Sequence, residues 1–248
     1  YYSVNLKNNL MKLKKIKVNN EFLSIYFNTG VFMPTATTDF LIKDFLKKNY
    51  KIKNKKILDL GCGSGIISII LADKIKNNSF FASDISNKAV MCSKKNFLNF
   101  KINGEVKKGN MLKPWSNYKF DFIINDVSGI SSSVAKKSKW FKNVPALTGI
   151  DGTRLTISVI KNSIKYLNKK GCLYVPLISL SNEKKIINTA KKYFKKLKII
   201  SKNYWFLPPD LEKHKTLLNT LKKMKNINFE YKFGKYICYT KVLELKKN

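Results

Sequence analysis

KILDLGCGSGII, at residues 56–67, combines three local signals. An apolar run typical of a strand contains Asp59 near its end, glycines follow at 61, 63 and 65, and a helical pattern begins at Ile66. We interpret this order as a strand, a tight turn and a helix N-terminus. Glycine allows positive φ and close approach of a ligand to the backbone. Ligands of open α/β sheets bind at the carboxyl ends of such strands, so the turn predicts a ligand site.

The glycine spacing indicates which kind of ligand binds at this turn. A dinucleotide fingerprint reads G-x-G-x-x-G, whereas here the third glycine is Gly65 and position 66 is Ile. The run from Asp59 to Gly65 instead resembles motif I of the class I methyltransferases, which use S-adenosylmethionine (SAM). The resemblance implies that Asp59, Gly61, Gly63 and Gly65 hold the methionine part of SAM. A glycine turn in another kind of α/β protein is the alternative.

The apolar pattern elsewhere alternates between strand and helix, as in a doubly wound sheet. The predicted strands are 12–18, 21–27, 56–60, 79–83, 106–108, 120–125, 172–177, 197–206 and 235–245, and the predicted helices are 39–48, 66–75, 87–98, 153–167, 182–196 and 210–225. Together with the resemblance, this predicts a Rossmann-like class I methyltransferase fold of the α/β class. Its sheet is mostly parallel and seven-stranded, with an antiparallel last strand and helices on both faces. We expect residues 1–50 to cover the cofactor site and 51–248 to form the catalytic domain.

Two further positions are candidates for cofactor binding. Asp84 ends the second strand of this pattern, 25 positions after Asp59, where an acid can accept hydrogen bonds from ribose hydroxyls. Ile85 follows it. The alternative for Asp84 is an acid that only favours the following helix N-terminus. By the resemblance, Asn110 accepts a hydrogen bond from the adenine amino group and Met111 packs on the adenine; a plain polar loop is the alternative.

The segment after the predicted strand 120–125 resembles motif IV, which lies beside the transferable methyl group. In the HemK-like glutamine methyltransferases this motif reads Asn-Pro-Pro-Tyr, and here it reads Asn125-Asp126-Val127-Ser128. Asn125 aligns with the family Asn, but the aromatic platform is missing and a carboxylate is added. Asn125 and Asp126 are therefore the candidate catalytic residues. Asp126 can orient an amine, act as a general base or serve only as a structural acid.

Two more segments resemble the HemK-like group, so that the resemblance extends over residues 30 to 178. Residues 30–39 resemble the loop and helix that cover the SAM site, with Thr35 and Thr38 as candidates. Residues 145–152 resemble the Pro-x-Ala-Leu-x-Gly-Gly-x-Asp-Gly segment that follows motif IV. We expect no counterpart of the family's N-terminal helical substrate-binding domain. Docking would then fall to the first 30 residues and the tail.

Composition limits the class of protein and suggests a partner. Net charge is +34 over 248 residues, nearly all of it from lysine, with Arg154 as the one arginine. The lysines reflect either an AT-rich genome or affinity for RNA or ribosomes. Four scattered cysteines and one histidine predict neither a metal site nor disulfides, which suits the cytoplasm. The sequence shows neither a secretory pattern nor an apolar run of membrane-spanning length.

Three functions remain open from the sequence. The first is methyl transfer from SAM to a nitrogen in a protein or RNA connected with translation. The second is methylation of a small molecule, which the loss of Pro-Pro-Tyr and of the docking domain favours. The third is a non-catalytic scaffold that binds RNA, against which the intact glycine turn and Asp84 argue. The oligomeric state is left open.

Overall fold

A computed structural model describes residues 11–142, 144, 147–225 and 227–248. The strands are β1 (Lys12–Val18), β2 (Glu21–Phe27), β3 (Lys56–Leu60), β4 (Ser79–Asp84), β5 (Gly104–Lys108), β6 (Phe120–Asn125), β7 (Leu167–Ile178), β8 (Lys196–Phe206), β9 (Glu230–Lys232) and β10 (Lys235–Lys246). The helices are α1 (Ala36–Asn49), α2 (Ile66–Lys74), α3 (Asn87–Asn99), α4 (Ser132–Lys137), α5 (Arg154–Ser163), α6 (Glu183–Tyr193), α7 (Pro209–Glu212) and α8 (Lys215–Lys223). Two short 3-10 helices lie at Lys113–Trp115 and Lys139–Phe141.

The central sheet has the order β5-β4-β3-β6-β7-β10-β8, and the short β9 pairs with β10 as an eighth strand. Strands β3 to β7 pair in parallel, whereas β10 runs antiparallel to both β7 and β8. The predicted α/β fold with an antiparallel last strand is confirmed, with β9 as an addition. Because the parallel strands share one direction, their carboxyl ends meet at a single edge of the sheet.

Each face of the sheet carries its own apolar core. Ile57 and Ile124 pack with residues of α1, α2 and α3 on one face. Leu58 and Ile123 pack with residues of α5 and α6 on the other. Neighbouring residues of one strand thus point to opposite faces, as the pleat requires. Both faces are covered, which explains why β3 and β6 read as continuous apolar runs.

The N-terminal hairpin and α1 share the first of these cores. Asn19 and Asn20 form the turn between β1 and β2 with φ of 51° and 65°, as the hairpin prediction requires. Ile25 of β2 is fully buried in the core cluster that also contains Ile57. At the end of α1, Asn49 Nδ2 donates to Tyr174 Oη over 2.9 Å. A domain boundary at residue 50 stays a prediction.

The predicted helix 153–167 is too long. Helix α5 is assigned to Arg154–Ser163, and Leu167 already belongs to β7, where it pairs with Phe120. The apolar stripe runs without interruption from the helix into the strand, so periodicity alone did not mark the helix end. Gly171, predicted as the turn before the strand 172–177, lies inside β7. A Cβ there would lie 2.9 Å from Leu167 Cβ, so glycine is needed for close packing at this irregular point.

The predicted helix 210–225 is two helices, α7 and α8. His214 interrupts them with a non-helical backbone, at φ −88° and ψ 77°. Leu211 of α7 and Leu218 of α8 nevertheless pack in one buried cluster, which gave the sequence a single apolar pattern. Helix α4 and strand β9 were not predicted. Among the described residues, no helix is long and apolar enough to cross a membrane.

Candidate functional site

A cavity of about 1060 Å³ opens at the carboxyl edge of the parallel strands. One side is formed by the turn after β3, the ends of β4 and β6, and the loop after β5. Residues 30–38, which connect β2 to α1 and form its first residues, also line the cavity. Further lining residues come from 139–142, from Leu147 and Arg154, and from the ends of β7 and β8. The cavity therefore lies where the sheet topology predicts a ligand site.

The three glycines of the turn have different roles. All three have positive φ, of 81° at Gly61, 53° at Gly63 and 83° at Gly65. A Cβ at Gly61 would lie 2.8 Å from Val127 Cγ1, and a Cβ at Gly65 would lie 2.9 Å from Ser93 Oγ. At Gly63 the closest atom would be 3.6 Å away. Glycines 61 and 65 are therefore required by the protein's own packing. Gly63 lines the cavity, whereas Gly65 caps α2 and is not among the lining residues described.

Asp84 joins the turn to the cavity wall. Its Oδ2 accepts a hydrogen bond from Gly63 N at 3.0 Å, and its Oδ1 accepts one from Ser86 N at 2.8 Å. Burial raises the pKa of this carboxyl, against these backbone hydrogen bonds. Each oxygen can accept a further bond, and Asp84 lines the cavity. Ile85 beside it is 53% exposed and also lines the cavity.

Asn110 and Met111 line the cavity together with Asp84. The connection is direct, because Gly109 N donates to Asp84 O over 3.0 Å. Met111 has φ of 53°, a conformation that costs a non-glycine residue free energy and that recurs at ligand sites. The strained backbone directs this loop along the cavity wall.

Asp126 connects the end of β6 to helix α1. Thr38 Oγ1, fully buried in the first turn of α1, donates a hydrogen bond of 2.9 Å to Asp126 Oδ2. Thr35 is the N-cap residue of α1, and all three residues line the cavity. Burial raises the pKa of Asp126 to about 7, although the Thr38 hydroxyl stabilises the charged form. At neutral pH this carboxyl is therefore poised between its two protonation states.

Asp59 and Asn125 lie beneath the cavity and are not among its described lining residues. Asp59 Oδ2 accepts a bond of 3.0 Å from Ser68 Oγ, while Oδ1 is buried without a partner among the described residues. Burial, followed by the charge of Asp126, raises the pKa of Asp59 to about 7. Asn125 is fully buried, and neither polar atom of its amide has a partner in the described chain. The strand pleat places it on the face of Ile123, opposite Asp126.

An aromatic wall faces the glycine turn and was not predicted. Phe141 packs on Phe32 with ring centroids 5.1 Å apart, and Trp140 packs on Trp205 at 5.8 Å. These four residues and Phe206 line the cavity together. Trp205 Nε1 donates to Thr240 Oγ1 over 3.1 Å, which fixes the indole. The residues come from three distant segments, so no local motif could have revealed them.

Part of the segment 145–152 contributes to the same wall. Pro145 and Ala146 lie outside the described residues, and Leu147 lines the cavity. Asp151 Oδ1 accepts a bond of 2.8 Å from Thr153 Oγ1, just before α5. This arrangement places Arg154, the one arginine of the sequence, at the cavity.

Comparison with known proteins agrees with the geometry. Residues 23–126 match the family model of the methyltransferase small domain. A release factor glutamine methyltransferase of Flavobacterium psychrophilum is 35% identical over 126 residues, which are 49% of this chain and 44% of that protein. One from Clostridium botulinum is 29% identical over 181 residues, 68% of this chain and 64% of that protein. This chain is similar in sequence to the HemK-like methyltransferases.

The similarity to the HemK-like methyltransferases covers only part of the length of those proteins. The chain spans less than two thirds of these two relatives. Among solved structures, a T. thermophilus 16S rRNA N2 methyltransferase, in complex with AdoMet and guanosine, superposes with a TM-score of 0.61. That alignment covers 96% of this chain and 51% of the other at 11% identity, so it concerns the fold alone.

The residues present fit the cofactor of a HemK-like methyltransferase. The carboxylate of Asp84 offers acceptors to a ribose diol, and Ile85 and Met111 offer apolar contacts to a flat ring. Gly63 leaves its part of the turn free of side-chain atoms. Among the residues that the structure describes, no group of three His, Cys, Asp or Glu side chains could hold a metal ion.

Proposed function

We propose that this protein transfers a methyl group from SAM to an acceptor nitrogen in a protein or an RNA. The observation that carries the proposal is one continuous cavity shared by Gly63, Asp84, Asn110 and Asp126. A nucleoside site and a titratable carboxyl of pKa about 7 thus open onto the same space. The names of the sequence relatives, which are release factor glutamine methyltransferases, support a nitrogen acceptor.

The proposed cofactor-binding roles follow from the polar and apolar groups that line the cavity. Asp84 would accept hydrogen bonds from the ribose hydroxyls, and Asn110 would accept one from the adenine amino group. Ile85 and Met111 would pack on the adenine, and Gly63 would lie along the methionine part. Asp59 would act from below, by holding Ser68 and so the start of α2. When bound, SAM supplies an already activated methyl group, so the protein contributes mainly proximity, alignment and exclusion of water.

Asp126 is proposed as the residue that faces the acceptor. Its ionised form can accept a hydrogen bond from the acceptor N–H, align the nitrogen and take up the proton released on methylation. Thr38 holds the carboxylate for this task from α1. Asn125 stays a candidate whose role no contact supports, because its amide has no described partner and lies on the opposite face of the sheet.

We further propose that residues 1–50 act as the cover of the cofactor site. Residues 30–38 line the cavity, and Thr35 and Thr38 begin α1 directly beside Asp126. The hairpin that precedes them packs into the same core as β3. Within this segment, the hairpin of residues 12–27 and helix α1 both pack against the catalytic part.

The proposal is tested with two measurements on the purified protein. Calorimetry measures SAM affinity for the wild type and for Asp84→Asn. We expect a loss of about 10- to 100-fold in the variant, because hydrogen bonds to a charged group contribute about 1.5–3 kcal/mol. Labelled SAM is then incubated with cell extract, and label is counted in protein, RNA and small-molecule fractions. Label in the small-molecule fraction alone would overturn the acceptor class, and wild-type protein that binds no SAM would indicate a scaffold.

A further inference from the structure

The outer face of β8 and β10 presents lysine and aromatic side chains in alternation. Lys202, Tyr204 and Phe206 follow one another at every second position of β8, so they share one face of the strand. Tyr239 lies directly opposite Tyr204 on β10. Tyr204 is 63% exposed and Phe206 is 58% exposed. Exposed aromatic rings beside one another on an open sheet face need a reason other than folding.

The lysines of this face stand over its rings. Lys202 Nζ lies 4.7 Å from the ring centroid of Tyr204 and 4.3 Å from that of Tyr239. Lys235 Nζ lies 5.2 Å from the ring centroid of Phe206. Within the described chain, neither Lys202 nor Lys235 has an ion-pair partner. The nearby carboxylate of Glu183 is occupied by Lys241 and Tyr239. The carboxylate of Glu230 lies within coulombic range of Lys202 but is itself paired with Lys232, so the face keeps an excess of positive charge.

This face continues into the proposed active site. Phe206 belongs to both, because it ends β8 and lines the cavity. Strand β8 runs parallel to β7, so its carboxyl end lies at the edge where the cavity opens. The mouth of the cavity is also cationic, with Lys139, Lys142 and Arg154 among its lining residues. A chain lying on the β8–β10 face would lead one of its units into the cavity.

We propose that the β8–β10 face, defined by Lys202, Tyr204, Phe206, Lys235 and Tyr239, binds a single-stranded RNA segment next to the acceptor. This inference rests on the proposed methyl transfer and selects RNA as the acceptor class. Aromatic rings that stack bases, combined with cations that follow the phosphates, are the recognition mode of single strands. Protein interfaces are depleted in lysine, so a protein partner fits this face less well. The net charge of +34 favours the same partner.

The test measures the affinity of the purified 248-residue protein for a short fluorescent oligouridine by anisotropy at several salt concentrations. Tyr204→Ala is expected to lower the affinity about tenfold, because a stacking platform is lost. Lys202→Gln is expected to reduce the slope of log affinity against log salt by about 0.7. A duplex of the same length should bind more weakly than the single strand.

The hairpin offers a matched control pair. Phe22 is also 63% exposed, and Lys15 Nζ stands 5.0 Å from its ring centroid, but neither residue lines the cavity. Phe22→Ala and Lys15→Gln should change the affinity for oligouridine less than twofold. Equal effects of the two pairs would mean binding by general charge alone and would overturn the assignment of this face.

Two readouts separate the failure of this inference from that of the proposed function. SAM affinity, measured on the same proteins, should be unchanged in Tyr204→Ala, because Tyr204 does not line the cavity. A wild type that binds no SAM contradicts the methyltransferase proposal itself. If Tyr204→Ala keeps its RNA affinity but loses label transfer to the protein fraction, the face docks a protein and RNA is the wrong partner.

Discussion

Asp126 is the residue on which the proposed chemistry of this site depends. It replaces a proline of the family motif and adds a titratable group to the cavity wall. Desolvation raises its pKa to about 7, while the Thr38 hydroxyl favours the charged form. A carboxyl of this pKa is matched to proton transfer at neutral pH. An unperturbed aspartic acid, with a pKa of about 3.9, would be too weak a base.

The first prediction concerns the pH dependence of methyl transfer. At saturating SAM, the rate should rise about tenfold per pH unit below pH 7 and level off above it, because only ionised Asp126 accepts the proton. Asp126→Asn should lower the rate about 10²- to 10⁴-fold and flatten this profile. Thr38→Val removes a bond to the charged form and should move the midpoint to higher pH. An Asp126→Asn enzyme with the wild-type profile would exclude Asp126 as the base.

The second prediction concerns Asp59 and stability. Its pKa is about 7 in the folded protein and near 3.8 in the unfolded chain, so between these values the folded state binds more protons. Stability therefore falls as pH rises from about 4 to 7. Asp59→Asn should match the wild type near pH 4 and be more stable near pH 8 by about 4 kcal/mol, which is the shift of about three pKa units at about 1.36 kcal/mol per unit. Urea unfolding of both proteins at both pH values measures these free energies. An equal difference between the proteins at the two pH values would show that ionisation of Asp59 is not linked to folding.

In the turn between β3 and α2, one glycine is required by packing and another faces the proposed ligand site. Gly61 has φ of 81° and no room for a Cβ because of Val127, whereas at Gly63, with φ of 53°, a Cβ would make only ordinary van der Waals contacts. We expect Gly63→Ala to cost about 1 kcal/mol, the strain of a left-handed non-glycine residue. Gly61→Ala should cost more, because strain and overlap add.

Val127→Ala supplies the control for this third prediction. In the double variant Gly61→Ala with Val127→Ala, the overlap with Val127 Cγ1 is gone, while the backbone strain and the tight contacts with Val127 N at 3.1 Å and Cα at 3.2 Å remain. The free energies of unfolding should therefore be non-additive, with the double variant more stable than the sum of the single losses predicts. Additive losses in urea titrations would show that Val127 does not determine the need for glycine at 61.

The elements that the sequence predicted best are those in which a clear apolar pattern is ended by polar or glycine residues. Strands β3 and β6 are found at the predicted residues, because both are apolar runs with polar or glycine residues after them. The end of α5 was missed because the apolar stripe of the helix continues into β7 without glycine or proline between them. The chain direction at that point is decided by the pairing of Leu167 with Phe120, a contact that the local sequence does not carry.

The residues of the candidate site also divide into those that could be predicted from the sequence and those that could not. Asp84, Asn110 and Asp126 follow strands of the sheet, so their meeting at one edge could be predicted from topology. The aromatic wall could not, because Trp140 and Trp205 meet only through packing. The opposite directions of Asn125 and Asp126 follow from the pleat, which the sequence comparison with the family motif did not consider.

On the scale of the whole molecule, the net charge of +34 is the dominant electrostatic feature. Seven ion pairs are found among the described residues, and most of their partners are exposed. Exposed pairs contribute little stability. The remaining lysines repel one another in the folded state more than in the expanded unfolded chain, so the compact state is destabilised by its own charge.

The last prediction is that salt stabilises this fold. Raising NaCl from 20 to 300 mM shortens the screening length from about 20 Å to about 6 Å, which removes most repulsion between separated lysines. The free energy of unfolding, measured with urea so that the denaturant adds no ions, should rise by about 1–3 kcal/mol. Exchange of exposed Lys191 and Lys195 for Gln should lessen this rise, because fewer charges remain to be screened. A polyanion such as oligouridine should replace the salt at 20 mM and add little at 300 mM. A free energy of unfolding that falls with NaCl would mean that the attraction in the exposed ion pairs exceeds the repulsion between lysines. The excess lysines would then not destabilise the fold.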